Sequence, residues 1–410
     1  MKCFHFIIFL LLAPITAFSG TIKVGAGELV HSIKQAIHLA QKGDTIIVAA
    51  GEYREGNIVV DKQVFLQGKG MPVLNGQKKF EILSIKANGV IVEGFKLVHS
   101  GISAIDDFAG IKLYDCKDIV IRNNMLHDTY FGIYVQYGIN CKIINNTVVA
   151  FLKEEQQSGN GIHCWKSDNI LISGNKIMGH RDGIYLEFVS NSVITNNHSI
   201  KNIRYGLHFM SSNNNKYLSN YFIGNGAGVA VMYSNQVQMI NNVFKENWGD
   251  AAYGLLLKDI RDSEIKGNHF EKNTSGIYME AVTRVSMEHN LFINNGWAMK
   301  IQANCMEVNV TKNNFLGNSF DVGTNGNLVL NRFNNNYWDK YEGYDINKDK
   351  IGDVPYRPVS MYSMIVEQNP TAMMLFRSFI TSLLDKTEKL IPSITPENLV
   401  DNLPLMNKAF

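Results

Sequence analysis

The sequence predicts an all-β chain folded as a right-handed parallel β-helix, a solenoid of 22-residue coils with a short N-terminal cap helix and a C-terminal helical tail. Three observations carry that prediction. A Gly followed by alternating apolar residues returns at Gly110, Gly132, Gly161, Gly183, Gly206, Gly228, Gly254 and Gly276, in steps of 22, 29, 22, 23, 22, 26 and 22 residues, and "AMKIQA" at Ala298 adds another 22. Each unit then carries an Asn-rich signature, such as "IRNNML", "IINNTV", "ITNNHS", "MINNVF" and "MEHNLF". Finally, Phe222, Phe244, Phe270 and Phe292 fall at one equivalent inward position. A 22-residue period is too short for helical repeats or propeller blades, and short strands joined by left-handed-tolerant Asn turns are what one β-helix coil needs.

The elements follow in chain order. "MKCFHFIIFLLLAPITAFSG" has one lysine, an apolar run and a small-residue exit, the layout of a signal peptide over residues 1–19, cut near Ser19–Gly20. The apolar run is shorter than the roughly 20 residues of a membrane span. In "HSIKQAIHLAQKGDTIIVAAGEY" (31–53), Ser32 caps a short amphipathic helix, Gly43 ends it, and "TIIVAA" opens the first coil. About ten turns are expected from near residue 45 to 335. The 29-residue step holds an insertion, "KEEQQSGN" (153–160), that leaves the coil as a loop. Composition changes near Tyr337, which sets the β-helix at 20–345 and the tail at 346–410. Within the tail an apolar stripe predicts a helix over about 371–390 that ends before Pro392.

Composition narrows the function. The formal net charge of +2 offers no electrostatic footprint for a nucleic-acid partner. The mature chain keeps Cys116, Cys141, Cys164 and Cys305 without a CxxC pair, so neither a disulfide framework nor a thiolate metal cage is indicated. Carbohydrate hydrolysis needs paired carboxylates, and the outward Glu187 and Glu280 lie four coils apart, roughly 19 Å at about 4.8 Å per coil. Asp106 and Asp107 are adjacent on an extended segment and point to opposite faces.

Counting from each Gly, offsets 2 and 4 face outward. His208 and Met210 share one strand, Met232 lies one coil above, and Tyr185 and Glu187 lie one coil below. Imidazole with two thioethers is a soft donor set that selects Cu(I). The residues His208, Met210 and Met232 are the candidate ligands, with Glu187 beside them, and Met178 with His180 in "KIMGHRDG" forms a weaker pair. Outward methionines are equally explained by a covering loop or partner, and Met239, Met279 and Met287, at inward offsets, belong to the core.

Five blocks, "DGIYLEFVSNSVITNNHSIKNIRYGLHFM", "NWGDAAYGLLLKDI", "NGWAMKIQANC", "NYWDKYEGYDINKDKIGDVPYRP" and "LFRSFITSLLDKTEKLIPSITPE", resemble the NosD family over about residues 21–406. The resemblance implies a non-enzymatic periplasmic accessory protein for maturation of nitrous oxide reductase. It also implies transient Cu(I) cargo and, as partners, an ABC transporter permease and ATPase at the inner membrane, a copper chaperone and the apo reductase. It marks no fixed ligand motif. With that partner in view, the apolar tail residues Met374, Phe376, Phe379, Ile380, Leu383 and Leu384 form the expected docking surface. The competing reading is a secreted glycan-binding or glycan-degrading β-helix whose outward Tyr114 and Trp165 stack on sugars.

Overall fold

A computed structural model describes residues 20–103, 106–151, 154–249, 252–328, 330–390 and 399–410. The expected signal peptide lies outside these residues. The chain winds as an all-β right-handed parallel solenoid of about 14 turns. Among the described residues three parallel sheets line it: sheet 1 with 14 strands, sheet 2 with 13 and sheet 3 with 12. One coil shows the unit, with Val193–Thr195 in sheet 1, His198–Ile200 in sheet 2 and Tyr205–Met210 in sheet 3.

Paired Asn residues turn the corner between sheets 1 and 2. The first of each pair takes left-handed backbone, as at Asn123, Asn145, Asn196 and Asn241 (φ 54–55°), and Gly174 or Gly267 replaces it where the motif reads GN. The second Asn turns inward and builds a ladder. From Asn124 through Asn146, Asn175, Asn197, Asn220, Asn242, Asn268, Asn290 and Asn313 to Asn336, each Nδ2 donates to the next Oδ1 at 2.9–3.1 Å. A second ladder runs from Asn202 to Asn318 at the corner entering sheet 3. These amides are buried, so the rung-to-rung bonds remove what would otherwise be a desolvation penalty of about 1–3 kcal/mol per unpaired group.

Apolar columns fill the space between ladders. Phe222, Phe244, Phe270 and Phe292 stack as expected at 4.6–5.5 Å between ring centroids, and Phe315 and Trp338 continue the column at 4.8 and 4.0 Å. The repeated Gly is required by close approach between coils. A methyl group on Gly206 would stand 2.7 Å from the Gly228 carbonyl oxygen and 2.9 Å from the Phe222 ring.

Both ends depart from the sequence expectation. The solenoid begins at Thr21 rather than near residue 45, with Thr21–Val24 pairing in parallel to Thr45–Val48. Helix α1 (Ile33–Leu39), capped by Ser32, closes this end as expected by burying Ile33, Ala36 and Ile37. The single helix expected over 371–390 is replaced by α2 (Met361–Gln368), a 3-10 turn (Pro370–Leu375) and α3 (Phe379–Leu390). Pro370 cannot continue α2, and Arg377 in left-handed backbone (φ 59°) separates the turn from α3. These helices do not seal the last coil. That role falls to residues 399–406, where Asp401 bridges to Phe333 and Tyr356 and Leu405 to Tyr337 and Ile351. The buried Asp401 Oδ2 accepts from the Asn336 backbone N–H, Asn336 Nδ2 and Trp338 Nε1 at 3.0–3.2 Å. A carboxylate suits the end of an amide ladder because it accepts the last donors and leaves no donor of its own unpaired.

Candidate metal centre

The outward face of sheet 3 carries two columns in register. One reads Lys112, Tyr134, His163, Tyr185, His208, Ala230. The other reads Tyr114, Gln136, Trp165, Glu187, Met210, Met232, Lys258. His208 and Met210 therefore project from one strand, Met232 is the direct partner of Met210, and Glu187 is its partner on the other side. The two thioethers stand on adjacent strands about 4.8 Å apart. Above them Lys258 is engaged by Glu280 at 3.2 Å, so the methionine pair sits between a carboxylate and an ion pair.

The expectation that His208 is exposed is corrected: it retains 7 % of its surface. Tyr185 and Tyr205 flank its ring at 4.7 and 5.0 Å between centroids. Asp182 lies beside it, with Oδ2 3.5 Å from His208 Nδ1. Met210 and Met232 are half-buried, which leaves the two thioethers as the accessible side of the cluster. His208 Nδ1 and Nε2 are both buried without a hydrogen-bond partner, the Asp182 approach at 3.5 Å being an ion-pair contact. Unpaired imidazole nitrogens occur in the core as well, at His180, so it is the neighbouring thioethers that make those of His208 atoms a soft cation would satisfy.

Asp182 and Arg204 were missed by the alternation of the strands because both precede the repeated Gly of their coils. The signal was present in the period, since Arg204 follows Asp182 by one 22-residue step. Arg204 donates through Nε to Asp182 Oδ1 at 2.8 Å and through Nη2 to Oδ2 at 2.6 Å. Burial pushes the Asp182 carboxyl upward, but the Arg204 and His208 side chains outweigh it and hold it below the usual carboxylate range.

The weaker pair does not assemble. Met178 is half-buried and ends a strand of sheet 2, whereas His180, beyond the bend at Gly179 (φ 75°), turns into the core with no exposed surface. There its backbone N–H donates to Asn202 Oδ1 at 3.2 Å, the position that an Asn holds in the coils above. Burial holds the His180 imidazole down to about 4. The core methionines Met239, Met279 and Met287 are fully buried, as expected. So are the four described cysteines, and burial pushes the Cys141 thiol up to about 11, so none is a ready thiolate.

The aromatic platforms of the carbohydrate reading are already covered. Lys86 and Lys112 lie over the Tyr114 ring at 5.3 and 5.0 Å, and Tyr114 Oη is bonded to Glu81. Lys166 lies over Trp165 at 4.6 Å. Of the expected docking residues, Met374, Phe379, Ile380 and Leu383 are exposed, at 90, 81, 56 and 53 %. Leu384 is half-buried, and Phe376 turns inward against Phe320 at 5.7 Å between ring centroids. Phe376 thus joins Trp297, Phe320, Tyr362 and Val366 in fixing α2 to the last coils.

Comparison with known proteins relates the chain to a family. A family model described as "Periplasmic copper-binding protein (NosD)" matches residues 150–351, which span the whole cluster. A protein of Pseudomonas aeruginosa named "Probable ABC transporter binding protein NosD" is 27 % identical over 379 residues, covering 88 % of this chain and 87 % of its own. The chain is thus similar to the NosD family over most of its length. A second relative of the same name, from Stutzerimonas stutzeri, is 26 % identical and covers 87 % of this chain and 85 % of its own. Solved structures share the fold at lower identity. The surface adhesin PfbA of Streptococcus pneumoniae aligns with a TM-score of 0.58 at 13 % identity, covering 71 % of this chain and 86 % of its own. A GH87 α-1,3-glucanase of Streptomyces thermodiastaticus aligns with a TM-score of 0.55 at 12 % identity, covering 75 and 62 %. NosD-family proteins are thus periplasmic copper-binding proteins by description, built here on a scaffold shared with adhesins and glycanases. Among the described residues no helix is long and apolar enough to cross a membrane.

Proposed function

We propose that the protein receives Cu(I) at His208, Met210 and Met232 and delivers it for maturation of nitrous oxide reductase, working in the periplasm with an ABC transporter. The observation that carries this reading is the register that sets two half-buried thioethers beside a buried imidazole whose ring nitrogens have no hydrogen-bond partner. Thioether and imidazole bind Cu(I) in preference to harder cations, and a site open on its thioether side lets an acceptor's ligands displace it stepwise. Thioethers also suit an oxidising compartment, where exposed thiolates are lost to disulfides. The family description supports copper, and the relatives' name supports the transporter. A copper chaperone upstream and the apo reductase downstream complete the path. No covalent chemistry is required of the protein.

The test is competition for Cu(I) against a chromogenic chelator. Replacing Met210 and Met232 together by Ala is expected to lower the affinity at least tenfold while leaving the far-UV spectrum and the melting temperature nearly unchanged, because both side chains are only half-buried. Unchanged affinity in the double variant would move the site elsewhere.

A further inference from the structure

Asp182 has no exposed surface although it lies on the outward side of the solenoid, under His208. Its four acceptor positions are almost fully committed. Oδ1 accepts from Arg204 Nε at 2.8 Å and from the Tyr205 backbone N–H at 3.3 Å, and Oδ2 accepts from Arg204 Nη2 at 2.6 Å. Arg204 is held in turn from its other side, with Nη1 3.6 Å from Glu155 Oε1 in the 153–160 insertion. The carboxylate is therefore rigid, and the position left on Oδ2 faces His208 Nδ1 at 3.5 Å. Structural need alone explains the Asp182–Arg204 fork, which ties two coils together. It does not explain why an imidazole is packed within 3.5 Å of a carboxylate that is already satisfied, with neither ring nitrogen in a hydrogen bond.

An imidazole that faces a fixed carboxylate with Nδ1 keeps its proton there, and the lone pair is then on Nε2. The thioethers of Met210 and Met232 cannot impose that choice, because sulfur neither donates a proton nor accepts one strongly. We propose that Asp182 is the positioning residue of the cluster: clamped by Arg204, it fixes His208 as the Nδ1–H tautomer and holds the Nε2 lone pair ready for a soft metal ion. This rests on the reading of His208 as a copper ligand, and it adds the residue that orients it. Carboxylate partners of this kind tune the affinity of metal-binding histidines by 10- to 100-fold.

The experiment has one arm without metal. In the ¹⁵N-labelled full chain, two-bond ¹H–¹⁵N correlations of the His208 ring are expected to show the Nδ1–H tautomer in the wild type and a mixture of tautomers in Asp182→Asn. An Nε2–H ring in the wild type would overturn the inference, and this readout holds even where the variant fails to fold. The second arm measures Cu(I) affinity by competition with bicinchoninate. Asp182→Asn is expected to lose 10- to 100-fold, with Asp182→Glu in between. Full affinity in Asp182→Asn beside a His208→Ala variant that has lost it would overturn this inference alone. Undiminished affinity in His208→Ala would overturn the ligand reading and this inference with it.

Discussion

The same coils present two kinds of column. In the interior, Phe222, Phe244, Phe270 and Phe292 stack rung on rung, and Asn197, Asn220, Asn242 and Asn268 do so at the corner. On the outward face of sheet 3 the register is equally strict, yet apart from the Met210–Met232 pair the side chain changes at each step: Tyr185, His208, Ala230 in one column and Glu187, Met210, Met232, Lys258 in the other. Repetition is useful where each rung must satisfy the next, since an amide ladder or ring stack is strongest between like neighbours. Where a column faces outward, nothing in the fold demands likeness. The buried His208 of those columns and the buried Asp182 beside it are where the proposed copper chemistry would sit.

The largest effect should come from breaking an interior column. Phe244 is fully buried between Phe222 and Phe270. Phe244→Ala is expected to destabilise the chain by about 3–5 kcal/mol, read from denaturant unfolding. Copper affinity of the folded fraction should stay at the wild-type value, because the site lies on another sheet and faces outward. A matching loss of affinity would show that the two kinds of column are not independent.

This division also explains what could be read from the sequence. From Gly110 onward the Gly and Asn signatures repeat, so coil, register and both outward columns were legible, including the pairing of Met210 with Met232. The earlier coils were expected from "TIIVAA" onward but undercounted, at about ten turns in all against about 14, because Ile46, Leu66 and Val92 stack through aliphatic side chains without the Asn pair that announces a corner. The burial of His208 was hidden for a related reason. Tyr205, Asp182 and Arg204 occupy turn or strand-entry positions, outside the period-two alternation that sorts inward from outward. The capping by Asp401 was illegible on any local pattern, since its partner Asn336 lies 65 residues away.

A smaller effect should separate the two histidines. His180 occupies an interior ladder position, and burial holds its imidazole down to about 4, with His163, also buried, held down to about 3. In each case the unfolded chain binds a proton near pH 6.5 that the folded chain refuses. Stability is therefore full above that pH and falls as the pH is lowered toward 4, by about 1.4 kcal/mol per pH unit for each such histidine. Placing the ladder's own residue there, His180→Asn, should remove its share and roughly halve the slope between pH 6.5 and 5, as followed by chemical denaturation. An unchanged slope would mean that His180 is not the neutral core residue described here.

The smallest effect on stability, and the sharpest on partnership, is expected in the tail. Removing everything after Arg357 would be a poor test of docking, because it deletes Asp401 and leaves the donors of Asn336 and Trp338 unpaired in the last coil. It also deletes α2, whose Tyr362 and Val366 pack on Trp297 and Phe320 and whose Glu367 pairs with Lys300 at 2.7 Å. The residues free of those duties are Met374, Phe379, Ile380 and Leu383, all more than half exposed. Apolar groups clustered to that degree mark an interaction surface more often than a fold requirement, and the relatives' name points to a transporter. Phe379→Ser with Leu383→Ser should therefore leave unfolding and Cu(I) affinity within experimental error of the wild type while abolishing co-purification with the ABC permease. Retention of the permease at wild-type yield would place docking on the solenoid itself, and the outward columns of sheets 1 and 2 would be the next surfaces to vary.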